Sequence, residues 1–156
     1  MNKIGKTVIT YGTFDMFHIG HLRILQRLSE MAERVIVAVS TDEFNALKGK
    51  KCLIPYEHRA EIIRNLKMVD RVIPETHWEQ KVEDVQKYNV DIFAIGDDWE
   101  GKFDFLKEYC EVKYMERTKD VSTTQLKKSL SNFLTIPKED IIRALEVLEI
   151  LKKDLE

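Results

Sequence analysis

Short β-branched or apolar runs recur five times along this chain, with a stretch of helical period between each and the next. The runs are TVITYG (7–12), VIVAVS (35–40), RVIP (71–74), DIFAIG (91–96) and EVKYME (111–116). Between and after them lie helical patterns at 20–34, 55–69, 76–88, 103–110 and 122–133, with 41–51 as a polar, flexible connection. In the first helix Leu22, Leu25, Leu28 and Met31 or Ala32 recur at helical spacing. Pro55 sits in the first turn of the second, Thr76 with Glu79 makes a capping-box pattern, and Ser122 with Gln125 makes another. VIVAVS is continuously apolar, as in a strand buried on both faces of a parallel sheet. Strict alternation of strand and helix predicts an α/β fold. The expected form is a Rossmann-like, doubly wound, five-stranded parallel sheet with helices on both faces.

The expected domain spans 1–133, and 134–156 forms a C-terminal helical extension. Within it DIIRALEVLEILKKDLE (140–156) aligns Ile141, Leu145, Leu148, Leu151 and Leu155 in one stripe that needs a partner surface, on its own domain or across a subunit interface. A chain of 156 residues with net charge −2 has no basic field for nucleic acid or a membrane surface. The N-terminus lacks the apolar core of a signal peptide, and no apolar run approaches a membrane span. Cys52 and Cys110 have no CxxC or His spacing around them and read as reduced thiols of a cytoplasmic protein.

In open α/β sheets, ligands bind beyond the carboxyl ends of the strands. That rule selects 12–21, 40–52, 96–102 and 117–124. The first contains TFDMFHIGH, with His18 and His21 one turn apart at the start of a helix and Gly20 between them. A helix N-terminus favours phosphate, two imidazoles can donate to phosphoryl oxygens, and glycine lets a ligand approach the backbone. Asp15 either structures this loop or helps place a metal. Arg59 either pairs with a neighbouring acid or reaches substrate. Asp98 and Trp99 follow a buried strand, as a loop anchor and packing or as part of the site. His58 and His77 read as surface residues.

YGTFDMFHIGHLRIL resembles the first signature of the HxGH nucleotidyltransferase superfamily, and RTKDVSTTQLKKSL (117–130) resembles the second signature of its cytidylyltransferase branch. STDEFNALKGKK, YEHR, WEQK and GDDWEGKFDFLKEYCEV are similar to members that use glycerol phosphate, over about residues 6 to 131. The resemblance implies CMP transfer from CTP to sn-glycerol 3-phosphate, giving CDP-glycerol and pyrophosphate for teichoic-acid-like or capsular polymers. It implies a cytoplasmic homodimer using Mg2+ with CTP. Carried over by position, Thr13, Phe14, His18, Gly20, His21, Lys50 and the 117–124 segment contact CTP. Within that segment the side chains are Arg117, Thr118, Ser122, Thr123 and Thr124, and Asp98 joins them. Lys48 and Lys81 match positions that contact the acceptor, Arg59 is the further candidate to reach it, and His18, His21, Lys48 and Arg117 are the candidates for catalysis. Asp120 stands where the second signature usually has glycine. The alternatives are another small alcohol phosphate such as ethanolamine phosphate, ATP as donor, or a silent nucleotide-binding module docked through its C-terminal helix.

Overall fold

The computed structural model describes residues 3–119 and 121–154. Asp120 and Leu155 lie outside the described residues. Five strands form one parallel sheet: β1 (Thr7–Gly12), β2 (Arg34–Ser40), β3 (Arg71–Glu75), β4 (Ile92–Gly96) and β5 (Glu111–Met115), in the order β3-β2-β1-β4-β5. Pairing runs Val8↔Val35 between β1 and β2, and Val8↔Ile92 between β1 and β4. The chain winds outward from β1 to β3, then returns to lay β4 on the other side of β1. That reversal is the topological switch point.

Alternate side chains of the central strands feed two cores. Val8, Val37 and Ala94 pack with Leu25 and Leu28 of α1 (Ile19–Met31) and Ile63 of α3 (Tyr56–Arg64). Ile9, Ala38 and Phe93 pack on the opposite face with Val85 of α4 (Gln80–Lys87) and Leu106 of a 3-10 turn (Asp104–Glu108). Each fully buried leucine contributes roughly 1.5–3 kcal/mol. The expected doubly wound α/β fold is therefore present.

Three local expectations are corrected. The connection at 41–51 contains a helix, α2 (Asp42–Leu47), whose N-cap Thr41 accepts from Phe44 N–H. Short polar DEFNAL lacks the apolar period of a surface helix, so the cap was its only signal. The capping box at Thr76 does not form. Gln80 Oε1 accepts from Thr76 N–H at 2.6 Å and α4 starts only at Gln80. Within 103–110 the helix is a 3-10 turn, Asp104–Glu108, rather than an α-helix, and a second 3-10 turn covers Asp97–Trp99.

The chain divides into two compact units, Met1–Thr123 and Thr124–Glu156. The second holds nearly all of α5 (Thr123–Leu134) and all of α6 (Lys138–Asp154). The 133/134 boundary read from the sequence falls inside this unit, at the end of α5. Ile141, Leu145, Leu148 and Leu151 of α6 are all exposed. Among the described residues no helix is long and apolar enough to cross a membrane.

Candidate active site

The loop after β1 turns sharply into α1. Phe14 and Met16 both adopt positive φ, at 53° and 51°, which non-glycine residues rarely do. Such strain persists only where surroundings over-determine it. Asp15, buried between them, supplies part of that: its carboxylate accepts from Leu53 and Ile54 N–H at 2.8 and 2.9 Å. Of its two sequence readings, the loop-structuring one is what the hydrogen bonds describe.

His18 is the N-cap of α1. Its Nδ1 accepts from Gly20 N–H at 3.0 Å, and His21 Nδ1 accepts from His18 N–H at 3.3 Å, a capping box made of two imidazoles. Both Nδ1 atoms are therefore acceptors, which leaves each ring's proton on Nε2. His18 Nε2 lies 3.2 Å from Thr123 Oγ1, whose own proton goes to the Asp15 carbonyl at 3.0 Å. The two sequence signatures meet at that contact. The rings stack with centroids 3.8 Å apart, and Phe14 meets His21 edge-on. A Cβ on Gly20 would come within 2.8 Å of the His18 ring, so only glycine leaves the pair in place.

Burial, then the neighbouring His18, depresses His21 to about 4, and burial also lowers His18. At neutral pH both rings are uncharged N–H donors. The unfolded chain takes up a proton on this side chain near pH ~6.5, which the folded chain resists until about 4. The contribution to stability is thus complete above about 6.5 and is lost as pH falls toward 4. Urea midpoints are expected to drop between pH 7 and 5, and His21→Asn should flatten that slope. An unchanged slope in the variant would assign the acid sensitivity elsewhere.

Arg59, on α3, is 1% exposed. It donates to the carbonyls of Thr13 (2.6 Å), Ser40 (2.9 Å) and Ile54 (2.8 Å), and to Asp42 Oδ1 (2.7 Å). Its guanidinium thus ties the ends of β1 and β2 to the 52–55 segment. Its pairing with a neighbouring acid is present, and four of its donors are committed to the protein.

A small cavity of about 60 Å3 opens beside the β1 and β2 ends, lined by Thr13, Ser40, Lys48, Lys50, Lys81 and aromatic side chains. That is room for on the order of four waters. At its base is Glu75, the last residue of β3 and buried. Glu75 Oε1 accepts from Lys81 at 2.8 Å, while Oε2 accepts from Ser40 O–H and lies 3.8 Å from Lys48 Nζ. Lys48 also donates to Ser40 Oγ at 3.1 Å. Burial lowers the Lys48 ammonium, offset in part by Glu75. Tyr11 donates to Asp84 Oδ2 at 2.7 Å, and burial raises its phenol well above the ordinary range. Sequence reading missed Glu75 and Tyr11 as members of this cavity. A larger groove of about 490 Å3 near Arg34, Arg71 and Lys87 lies at the amino ends of the strands, opposite the end where open α/β sheets bind ligands.

Across the switch point, Asp98 in the 3-10 turn after β4 pairs with Arg117 just after β5. Both are exposed. Lys50 is exposed, Thr13 Oγ1 donates to Asn45 Oδ1, and Thr118, Ser122 and Thr123 are half-buried. Thr124 is exposed and begins the second unit. The first unit thus brings together His18, His21, Gly20, Phe14 and Thr123, with Lys48 and Lys81 in the neighbouring cavity. Cys52 and Cys110 form no disulfide among the described residues, Cys52 Sγ accepts from Asn45 Nδ2 at 3.2 Å, and His58 and His77 are exposed.

A crevice at the switch point of a doubly wound sheet, with two neutral imidazole donors over a helix start, belongs to α/β proteins that handle phosphate groups. Similarity to known proteins narrows the class. Residues 9–129 match the cytidylyltransferase-like family, and the chain belongs to that family. Curated relatives named glycerol-3-phosphate cytidylyltransferase include one from Bacillus spizizenii, 56% identical over 81% of this chain and 98% of its own. Others are from Bacillus subtilis, 52% identical over 81% and 98%, and Staphylococcus aureus, 53% identical over 80% and 95%. Among solved structures, a lipopolysaccharide core biosynthesis protein from Thermoplasma volcanium shares the fold at TM-score 0.65, with 22% identity over 73% of this chain and 98% of its own. Those relatives are covered almost end to end, so this chain carries a segment that they lack. With the family match ending at 129, α6 is its natural place.

Proposed function

We propose that this protein transfers CMP from CTP to sn-glycerol 3-phosphate, releasing pyrophosphate and CDP-glycerol. The carrying observation is identity of 52–56% to proteins of that name across nearly their whole length. The site chemistry supports it. The acceptor's phosphate oxygen attacks the α-phosphorus of CTP, that P–O bond forms, the bond to the β-phosphate bridging oxygen breaks, and pyrophosphate leaves opposite. The attacking oxygen is already ionised at neutral pH, so no strong base is required. Catalysis is then positioning and charge neutralisation. His18 and His21 donate through Nε2–H to phosphoryl oxygens, Lys48 neutralises the α-phosphate and the incoming phosphate, and Lys50 and Arg117 hold the triphosphate. Thr13, Phe14, Gly20, Asp98, Thr118, Ser122, Thr123 and Thr124 complete the CTP site. Arg59 holds the strand-end loops and does not touch the acceptor.

Mg2+ fits as a passenger on the CTP phosphates. No cluster of three His, Cys, Asp or Glu side chains with metal-ligand spacing occurs among the described residues. Mg2+ is commonly held by substrate phosphates with few protein ligands, where it neutralises phosphate charge.

A pyrophosphate-release assay crossing four nucleotides with small phosphate esters tests the reading: CTP with glycerol 3-phosphate should stand alone. Lys48→Ala should raise KM for the acceptor and lower kcat, whereas Lys50→Ala and Arg117→Ala should mainly raise KM for CTP. Equal damage to both substrates in all three would remove this division of labour.

The catalytic domain in this reading runs to about 133, since the family match extends into α5. The enzyme works in the cytoplasm as a homodimer and supplies activated glycerol phosphate for wall or capsule polymers. The exposed apolar side chains of α6 provide a surface for self-association. Removing residues 137–156 should lower the oligomer mass in sedimentation while pyrophosphate release survives. Unchanged mass would take the interface off this helix.

A further inference from the structure

The groove at the amino ends of the strands gathers cations that no acid neutralises. Thr7 pairs with Arg34 across β1 and β2, and Ile36 with Arg71 across β2 and β3. Strand alternation therefore puts Thr7, Arg34, Ile36 and Arg71 on one face of the sheet. The end of α4 adds Lys87 and Tyr88, and these residues with Asp70 line a space of about 490 Å3, a size typical of small-molecule sites. Arg34, Arg71 and Lys87 are exposed, and among the described residues none of their side chains makes an ion pair or a hydrogen bond. Tyr88 steadies two of them: its ring centroid lies 5.4 Å from the Arg71 guanidinium carbon and 5.3 Å from Lys87 Nζ. Asp70 spends Oδ2 on Val35 N–H at 2.7 Å, so it does not cancel the arginines.

Solvated surface cations are common and by themselves ask for no ligand. Thr7 does. It lines the groove and is 1% exposed. Its backbone is satisfied: the N–H donates to Asp91 Oδ2 at 2.7 Å and the carbonyl accepts from Asp91 N–H at 2.9 Å. Its Oγ1 is buried without a hydrogen-bond partner, alone in that among the side chains of the described residues. An unpaired buried hydroxyl is costly, and valine would fill the same shape without that cost. We propose that this groove is a second ligand site, for a small sugar or polyol phosphate. Arg34 and Arg71 present planar guanidinium forks to the phosphate, while Thr7 Oγ1 and Asp70 Oδ1 bond the ligand's hydroxyls. The C-terminal carbonyls of α4 oppose an anion here, and Lys87 in the last turn of that helix offsets them. Thr7 and Gly12 stand at opposite ends of β1, roughly 17 Å apart, so the ligand is held clear of His18 and His21. The site therefore stands whether or not the cytidylyltransferase reading does.

Titration of the full chain with ribose 5-phosphate, followed in 1H–15N correlation spectra, tests this residue by residue. The amides of Arg34, Arg71 and Tyr88 should shift saturably, and sodium chloride at matched ionic strength should not reproduce the curve. Inorganic phosphate should bind the same amides more weakly, because it leaves Thr7 unpaired. The double variant Arg34→Gln/Arg71→Gln should weaken ribose 5-phosphate about tenfold or more at these amides and leave any response at His18 and His21 as in wild type. Thr7→Val should raise Tm in the absence of ligand, by removing the orphan hydroxyl, and weaken ribose 5-phosphate about threefold or more. A merely structural threonine would give the first change without the second. Shifts that stay linear and follow ionic strength, or that occur at His18 and His21 alone, overturn the proposal. So does undiminished affinity in the double variant, whose positions are exposed and decide the matter even if Thr7→Val does not fold. Equal affinity for inorganic phosphate and ribose 5-phosphate would overturn the assignment of the hydroxyl-bearing ligand.

Discussion

His21→Ala and His18→Asn are expected to lower turnover by about a hundredfold or more while circular dichroism and the oligomer mass stay unchanged. The capping box dictates the choice of substitutions. His18 Nδ1 holds Gly20 N–H, so His18→Ala would also remove an N-cap, at a cost of about 1 kcal/mol. Asparagine keeps the cap and loses the Nε2–H that projects toward Thr123. His21 is within α1 and accepts a 3.3 Å bond from His18 N–H, so alanine there removes the Nε2–H donor and leaves the His18 N-cap to Gly20 in place. Both rings are neutral at pH 7, and in the proposed reaction they donate N–H bonds to charge that grows as the P–O bond breaks. Rapid-quench measurement of the chemical step should show the loss in kcat. Near-normal kcat in both variants would mean that the stacked pair is a structural cap and nothing more.

Arg59→Met should destabilise the protein by about 3–5 kcal/mol, the usual cost of breaking a buried ionic hydrogen-bond network. The substitution strands the carbonyls of Thr13, Ser40 and Ile54, which end or follow three separate elements of the site. For a domain of this size that corresponds to a fall in Tm of about 10 °C or more. Arg59→Lys should recover little, because one ammonium cannot reach four acceptors set out for a planar fork. Thermal unfolding followed by calorimetry measures the effect. A variant of normal stability with a raised KM for the acceptor would return Arg59 to the substrate-contacting role that its position first suggested.

The strands were legible because parallel strands buried on both faces must be apolar without alternation, and VIVAVS and DIFAIG have no other reading at that length. The His pair was legible because a helix start after a strand is itself an anion site. Other features left no local trace. Glu75 ends the run RVIPE as an ordinary strand-end acid would. Only tertiary packing puts Lys81, Lys48 and Ser40 around it. Arg59 lies on an amphipathic pattern that would have suited an exposed arginine equally well. Helix α2 escaped because six residues carry too little period to register, and α4 began late because Gln80, not Thr76, satisfied the free N–H groups. Lys48 and Lys81 entered the reading through resemblance; by pattern KGKK is a solvated loop. The structure half-buries one of these lysines and fully buries the other beside a carboxylate, an environment that no charge pattern reveals.

The most direct test of the central claim is 31P NMR of the purified protein with CTP, Mg2+ and sn-glycerol 3-phosphate. The CTP resonances should be lost with equal growth of pyrophosphate and of a diphosphodiester that co-migrates with CDP-glycerol. ATP in place of CTP should give no turnover. Absence of CDP-glycerol from active-site-intact protein, or formation of ADP-glycerol from ATP in preference to CDP-glycerol from CTP, would contradict that function.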